Sequence, residues 1–533
     1  MTPNRRTFLK QLGFGAAGLG LVSWAPGCQT ARTGADHGQL RRSLPEAEGV
    51  ASSGILAFLA GAARDNHEMH SLMMVRHGRV IAEGWWAPYG PQYNHTLYSM
   101  SKSFTSTAVG FAVAEGKLRV TDRVVSFFPQ DRPDPVSESL AALRVQDLLT
   151  MSVGNEKEPT QAMVQEENWV KTFLASPITH PPGSTFMYNS GATYMLSAIV
   201  QQITGQKIID YLKPRLFEPL AIEGMTWETC PRGINVGGWG LSIQTEGLAK
   251  FGQLYRQKGV WHGRPVLPAS WVDEATTFKI QQPGPAKPSR PNEHNDWLQG
   301  YCYQFWRCTH RAFRGDGAFG QFTIVMPDQD AVIAITSESS NMQGQLDLVW
   351  EHLLPALRPA PLPTDPGSGD RLRATLSTLQ LAAPPGQPSS PLASRVSGKT
   401  FKLQNNELGL QSVSFVFGKD SSLVTFRDRA GEYPIACGHG QWPRGETALP
   451  GTPPRLVSGG APKAGVKSRI AARGAWKDEN HFEMLWRYYE TPHHDAVTCR
   501  FEGDQVQVAF LNSIAKMSPA PKDKRPVLQG QIS

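Results

Sequence analysis

Cysteine is scarce in this 533-residue chain: six in all, with no CxxC pair among them. Such spacing offers neither a disulfide framework nor a thiolate metal site. The five beyond Cys28 are expected to be buried small apolar side chains, with one bridge left open to an oxidising compartment. No dense Lys/Arg stripe interleaved with aromatics occurs, so nucleic-acid binding is not expected. No GxSxG is present, which removes the α/β-hydrolase elbow, and no P-loop is found. His67-Glu68-Met69-His70 lacks the HExxH spacing and His493-His494-Asp495 has no second cluster. No metal and no other cofactor is therefore expected, and these histidines read as solvated loop residues.

What is present describes a folded chain. Hydrophobic residues make up 40% and charged residues 19%, a globular balance at a length that suggests two domains. The first 28 residues stand apart: Arg5-Arg6 precedes an apolar stretch from Leu12 to Trp24, shorter than the ~20 residues a bilayer span needs. This is the plan of a twin-arginine signal peptide, so the protein is expected to be exported to the periplasm. Cys28 follows Ala25-Pro26-Gly27 as in a lipoprotein site, although the usual preceding Leu is missing; lipid attachment to a membrane through it stays open.

Residues 29–46 are polar and small, suiting a tether. From 47 to 358 hairpin signals at both ends (around His77-Gly78 and around Met326–Asp330) enclose helical patterns, including Ser99–Ala114, Thr193–Ile203 and Gly247–Lys258. That order suggests an α+β domain. Residues 359–395 are rich in Pro, Gly and Ser and read as a linker, and 396–533 read as short strands forming a small antiparallel β domain.

Three motifs carry chemistry. In Ser99-Met100-Ser101-Lys102 the i, i+3 spacing places a hydroxyl and an amine on one helix face, at the positive end of the helix dipole. Ser99 is the candidate nucleophile and Lys102 a candidate proton acceptor, crowding lowering the lysine pKa. A second SxxK, Ser513–Lys516, lies among strands without partners and reads as accidental. The turn Pro181–Gly183 delivers Tyr188-Asn189-Ser190 before a helix: Tyr188 could share the proton of Ser99, while Asn189 or Ser190 offers substrate a contact, or caps the helix. Residues 315–320 spell GxGxxG, but a strand rather than a helix follows, which rules out a dinucleotide site. Small residues there let backbone N–H groups approach a carbonyl, so the N–H groups of Ala318 and Ser99 are the candidate oxyanion hole, with Asp316 and Gly317 facing substrate.

In this order the three motifs resemble the class C β-lactamase-like serine hydrolases, a group with D-amino-acid peptidases, esterases and 6-aminohexanoate-dimer hydrolases. Leu148–Gly154, Gly240-Leu241-Ser242 and Leu248–Gly252 match as well, and the resemblance spans roughly residues 50–350. It implies a β-lactamase/transpeptidase-like domain, an antiparallel sheet flanked by helices with a helical subdomain, and an acyl-enzyme on Ser99. Two positions depart from the pattern. Asn189 comes one place early after the tyrosine, and Gly315-Asp316-Gly317 stands where Lys or His, then Thr-Gly, is usual. A lysine there would attract a substrate carboxylate; Asp316 would repel one, unless Arg314 compensates. The expected substrate is therefore a small-molecule ester or amide rather than a β-lactam. Which of Lys102 and Tyr188 is the base stays open, as do the oligomeric state and the role of the β domain. The alternative reading is a penicillin-recognising sensor or surface lipoprotein without turnover.

Overall fold

A two-residue turn between twisted strands needs left-handed backbone at both positions, and His77 (φ 48°) and Gly78 (φ 73°) supply it. They join β1 (Met69–Arg76) to β2 (Arg79–Trp85) at one side of a seven-stranded sheet. β1 also pairs antiparallel with β5 (Ala331–Ser337), which pairs with β4 (Gln321–Met326), which pairs with β3 (Phe313–Gly317). Two-residue strands, Arg41–Arg42 and Trp306–Arg307, close the two edges. The structure, a computed structural model, describes residues 38–285, 289–457 and 466–533. The expected signal peptide, Cys28 and half of the expected tether lie outside the described residues.

Alternation along each strand divides the sheet between two cores. Met73 and Val75 of β1 and Val332 and Ala334 of β5 face α4 (Thr245–Arg256) and the helical subdomain beyond it. Leu72, Met74, Ile333 and Ile335 face α1 (Ser52–Arg64) and the segment Met342–Leu357. The helical subdomain is built around α2 (Ser101–Ala114) and α3 (Ser190–Thr204). α2 is buried from Ser101 to Ala112; Phe104 stacks on Phe251 of α4, ring centroids 3.9 Å apart. This is the β-lactamase/transpeptidase-like arrangement.

Residues 359–395 carry α5 (Pro366–Ser377), whose Leu372 and Leu376 join the α1 core. Beyond it, β6 (Thr400–Leu403), β7 (Ser412–Phe417), β8 (Ser421–Arg427), β9 (Glu432–Gly438), β10 (Arg444–Thr447), β11 (Ser468–Trp476), β12 (His481–Arg487), β13 (His494–Glu502), β14 (Gln505–Asn512) and β15 (Leu528–Ile532) form one sheet. It runs antiparallel in the order β9-β8-β7-β6-β15-β14-β13-β12-β11-β10 and closes through a parallel pairing of β9 with β11. The interior is filled by aromatics, among them Phe401, Phe415, Trp476, Trp486 and Phe501, so this barrel is a packed core rather than a ligand cavity. The five cysteines from Cys230 onward are free and buried.

The histidines expected in solvated loops are not there. His67, His70, His493 and His494 are all buried, and two distant segments meet across the seam between the first domain and the barrel. Arg487 donates to Glu68 and lies 2.9 Å from His494 Nδ1, while Glu338 contacts both His493 and His494. Oxygen and nitrogen atoms of Glu68, Glu338 and His494 lie within 4.8 Å of one another, a spacing a metal could use, but the Arg487 guanidinium already supplies the cation there. Burial of two carboxylates is tolerable because the Arg487 cation and hydrogen bonds with the two histidines accompany them.

Candidate active site

Ser99 lies in the single turn Tyr98–Met100 that feeds α2, and Lys102 lies one turn on. Lys102 Nζ is 2.9 Å from Ser99 Oγ, 3.1 Å from Ser190 Oγ and 2.7 Å from the Gly238 carbonyl oxygen. A neutral amine satisfies this set: its two hydrogens go to Ser190 and Gly238, and its lone pair faces the Ser99 hydroxyl. Burial favours that form, bringing the Lys102 pKa down to about 7 although Glu158 and Asp316 pull it upward.

Tyr188 stands over the same group, with Lys102 Nζ 4.8 Å from its ring centre, and its phenol feels the Ser99 hydroxyl. Its phenol is held far above the ordinary tyrosine value, first by burial and then by the Asp316 charge. The ring is fixed against Trp306 (centroids 5.6 Å apart) and edge-on to Tyr301. Phe186 completes this aromatic wall beside the serine.

Ser190 opens α3 and turns its hydroxyl to Lys102, so it serves the amine directly. Asn189, expected to face substrate, is instead wholly buried. Its Oδ1 accepts the Ala192 N–H and caps α3, and its Nδ2 donates to Asn155. The free N–H groups of a helix start claim that side chain.

The glycine motif is itself a strand, β3, with its turn at Ala318–Gly320 rather than a lead-in to β4. Phe319 (φ 69°) and Gly320 (φ 89°) both take left-handed backbone there. β3 passes so close to the serine turn that a Cβ on Gly317 would lie 2.0 Å from the Leu97 carbonyl oxygen and 3.1 Å from the Met100 nitrogen. This crossing presses the end of β3 against the turn that carries Ser99. Gly317→Ala is therefore expected to push the strand off the turn, lowering turnover about a hundredfold for a stability loss of about 1–3 kcal/mol. Steady-state rates set beside thermal melts separate the two effects.

Asp316 and Arg314 form a fully buried pair, Nη2 to Oδ2 2.9 Å. Arg314 also donates to the Asp296 carbonyl and the Cys308 sulfur, and packs over Trp297 and Trp306. Asp316, expected to face substrate, thus faces Arg314, and that cation is spent inside the fold. Burial pushes the Asp316 carboxyl above its ordinary value against the pull of Arg314.

Sequence reasoning missed the Gly238 carbonyl, the third partner of Lys102. The Gly237-Gly238-Trp239-Gly240 run was the available signal, since such a run lets backbone approach closely.

The family model described as Beta-lactamase matches residues 60–358. A 6-aminohexanoate-dimer hydrolase of Paenarthrobacter ureafaciens is 25% identical over 284 residues, covering 49% of this chain and 71% of the relative. An N-acetylmuramyl-L-alanine amidase of Bacillus subtilis (strain 168) is 21% identical over 190 residues, 30% of this chain and 43% of that protein. Among solved structures, a penicillin-binding protein homologue from Caulobacter crescentus matches with a TM-score of 0.47 and 16% identity, over 59% of this chain and 99% of that one.

Proposed function

The chain belongs to the Beta-lactamase family, a family of hydrolases, and from that premise we propose that it hydrolyses an ester or amide through an acyl-enzyme on Ser99. The observation that carries this reading is the 2.9 Å contact between Ser99 Oγ and a buried lysine nitrogen whose pKa lies at about 7.

Neutral Lys102 takes the Ser99 proton as Oγ attacks the carbonyl carbon. The N–H groups of Ser99 and Ala318 receive the oxyanion. Tyr188 is assigned the opposite role from Lys102: a phenol held protonated gives its proton to the leaving oxygen or nitrogen as that bond breaks, and recovers one from Lys102. Water then attacks the acyl carbon by the same groups in reverse. This division of labour follows from the two environments, which pull the lysine pKa down and the tyrosine pKa up.

The substrate class follows from charge. Arg314 is consumed by Asp316 and by backbone, so β3 presents no free cation to a carboxylate. An uncharged acyl group against the aromatic wall suits the site better than a carboxylate-bearing β-lactam. A fluorophosphonate is expected to label Ser99, located by peptide mass spectrometry. Short-chain nitrophenyl esters are expected to turn over faster than nitrocefin or D-amino-acid amides. Stoichiometric labelling with no turnover of any of the three would favour the sensor reading instead.

The Arg5-Arg6 leader and Cys28 belong to this proposal as an export address and a membrane attachment point. Fractionation of cells expressing the Arg5→Lys/Arg6→Lys double variant and Cys28→Ser tests each. Unchanged distribution of either variant removes that part.

A further inference from the structure

Two bulky residues flank the proposed oxyanion donors, and both hold a backbone conformation that such residues rarely adopt. Tyr98, just before Ser99, has φ 48°; Phe319, just after Ala318, has φ 69°. Each conformation costs about 1–3 kcal/mol and persists only where surroundings enforce it. The catalytic domain anchors Phe319 by its carbonyl, which accepts from Ser337 Oγ at 2.7 Å and from the Ser339 N–H at 2.9 Å. The side chains of both residues converge on a single group from the other side of the seam.

That group is His493, in the barrel. Its Nε2 lies 2.5 Å from the Tyr98 phenol oxygen, and its ring packs edge-on against Tyr98 (centroids 5.6 Å apart) and Phe319 (4.9 Å). Its Nδ1 is 2.6 Å from Glu338 Oε1 and 3.3 Å from Ser513 Oγ. Glu338 directly follows β5, and its other oxygen lies 2.8 Å from His494 Nδ1. A neutral imidazole fits this setting, donating Nδ1–H to Glu338 and accepting the Tyr98 O–H at Nε2. Burial holds His493 in that neutral form, its pKa lowered to about 3.

We propose that His493 is a positioning residue for the reaction: through Tyr98 and Phe319 it fixes the backbone on either side of Ser99 and Ala318, so the barrel serves catalysis by aligning the oxyanion donors. His493 itself touches neither substrate nor the reacting atoms. The proposal rests on the reading of Ser99 as nucleophile, and it gives the β domain a specific task.

The test uses the full chain. Tyr98→Phe removes one oxygen, and His493→Phe keeps the ring packing but removes both nitrogens. Each is expected to lower kcat for a nitrophenyl ester about tenfold, the worth of one hydrogen bond realised in the transition state, with KM unchanged. The rate of Ser99 labelling by a fluorophosphonate should fall by the same factor. The double variant should be no slower than either single one, and His493→Gln, which restores an acceptor, should recover part of kcat. Wild-type kcat in Tyr98→Phe overturns the proposal, as does a loss confined to melting temperature. If His493→Phe fails to fold, Tyr98→Phe decides alone. A Ser99→Ala control separates the outcomes: if that variant still turns over, the nucleophile reading fails; if it is dead while Tyr98→Phe is normal, only the role of His493 fails.

Discussion

Ser99→Ala is expected to lower ester turnover by about 10⁴-fold or more, with the melting curve unchanged. The size of the loss follows from what the hydroxyl does: it is the atom that bonds to the acyl carbon, and no neighbour can take its place. Ser190 also contacts Lys102, but it stands 3.1 Å from Nζ at the start of α3 rather than in the turn that feeds α2. Stability should hold because alanine suits the turn and the lost hydroxyl is only part-buried. What remains would be the rate enhancement from carbonyl polarisation alone, typically small beside that of the complete set. Turnover measured on chromatographically pure variant, with fluorophosphonate labelling in parallel, checks both halves. Persistent turnover would move the chemistry to another residue.

The second large effect concerns Lys102. An ammonium has no lone pair to accept the serine proton, so kcat/KM should fall about tenfold per pH unit below about 7, where the Lys102 pKa lies, and level off above it. Lys102→Met should remove the acid limb together with about 10²–10⁴-fold of the rate. The same substitution carries a stability sign. The folded chain holds this lysine near 7, whereas an unfolded lysine titrates at its ordinary 10.5. Between those values the unfolded chain binds more protons, so stability rises with pH through the window and Lys102 is a net cost at neutral pH. Lys102→Met is therefore expected to gain about 1–2 kcal/mol while losing activity. A melt at pH 7 and a pH–rate profile are the two measurements; a stability loss would mean that the three hydrogen bonds of Lys102 outweigh its burial.

The parts of this molecule that could be read in advance are those whose cause is local. Ser99 and Lys102 meet because the helical turn Tyr98–Met100 runs straight into α2 and keeps residues three apart on one side, and the turn at His77-Gly78 follows from backbone sterics. The strands of the barrel show as alternation. Asn189 stood on the edge: its cap of α3 and a substrate contact were both readable, and burial decided for the cap. β3 was hidden because Gly315-Asp316-Gly317 has no apolar alternation, and only pairing with β4 makes it a strand. The histidines misread as solvated belong to a different class of failure. Glu68 and Arg487 are separated by 419 positions, and nothing near either residue announces the other. Only the packing of barrel on catalytic domain brings them together.

That seam limits how this protein can have been assembled or can be rebuilt. Glu68 and Glu338 reside in one half, and their partners, the Arg487 cation and the His493 and His494 imidazoles, in the other. Exchanging the barrel for a homologous one that lacks those three would strand two carboxylates in an apolar setting, a fault that better hydrophobic complementarity cannot mend. The halves are heritable only as a matched set, and a chimera will succeed or fail on its polar partners before its shape.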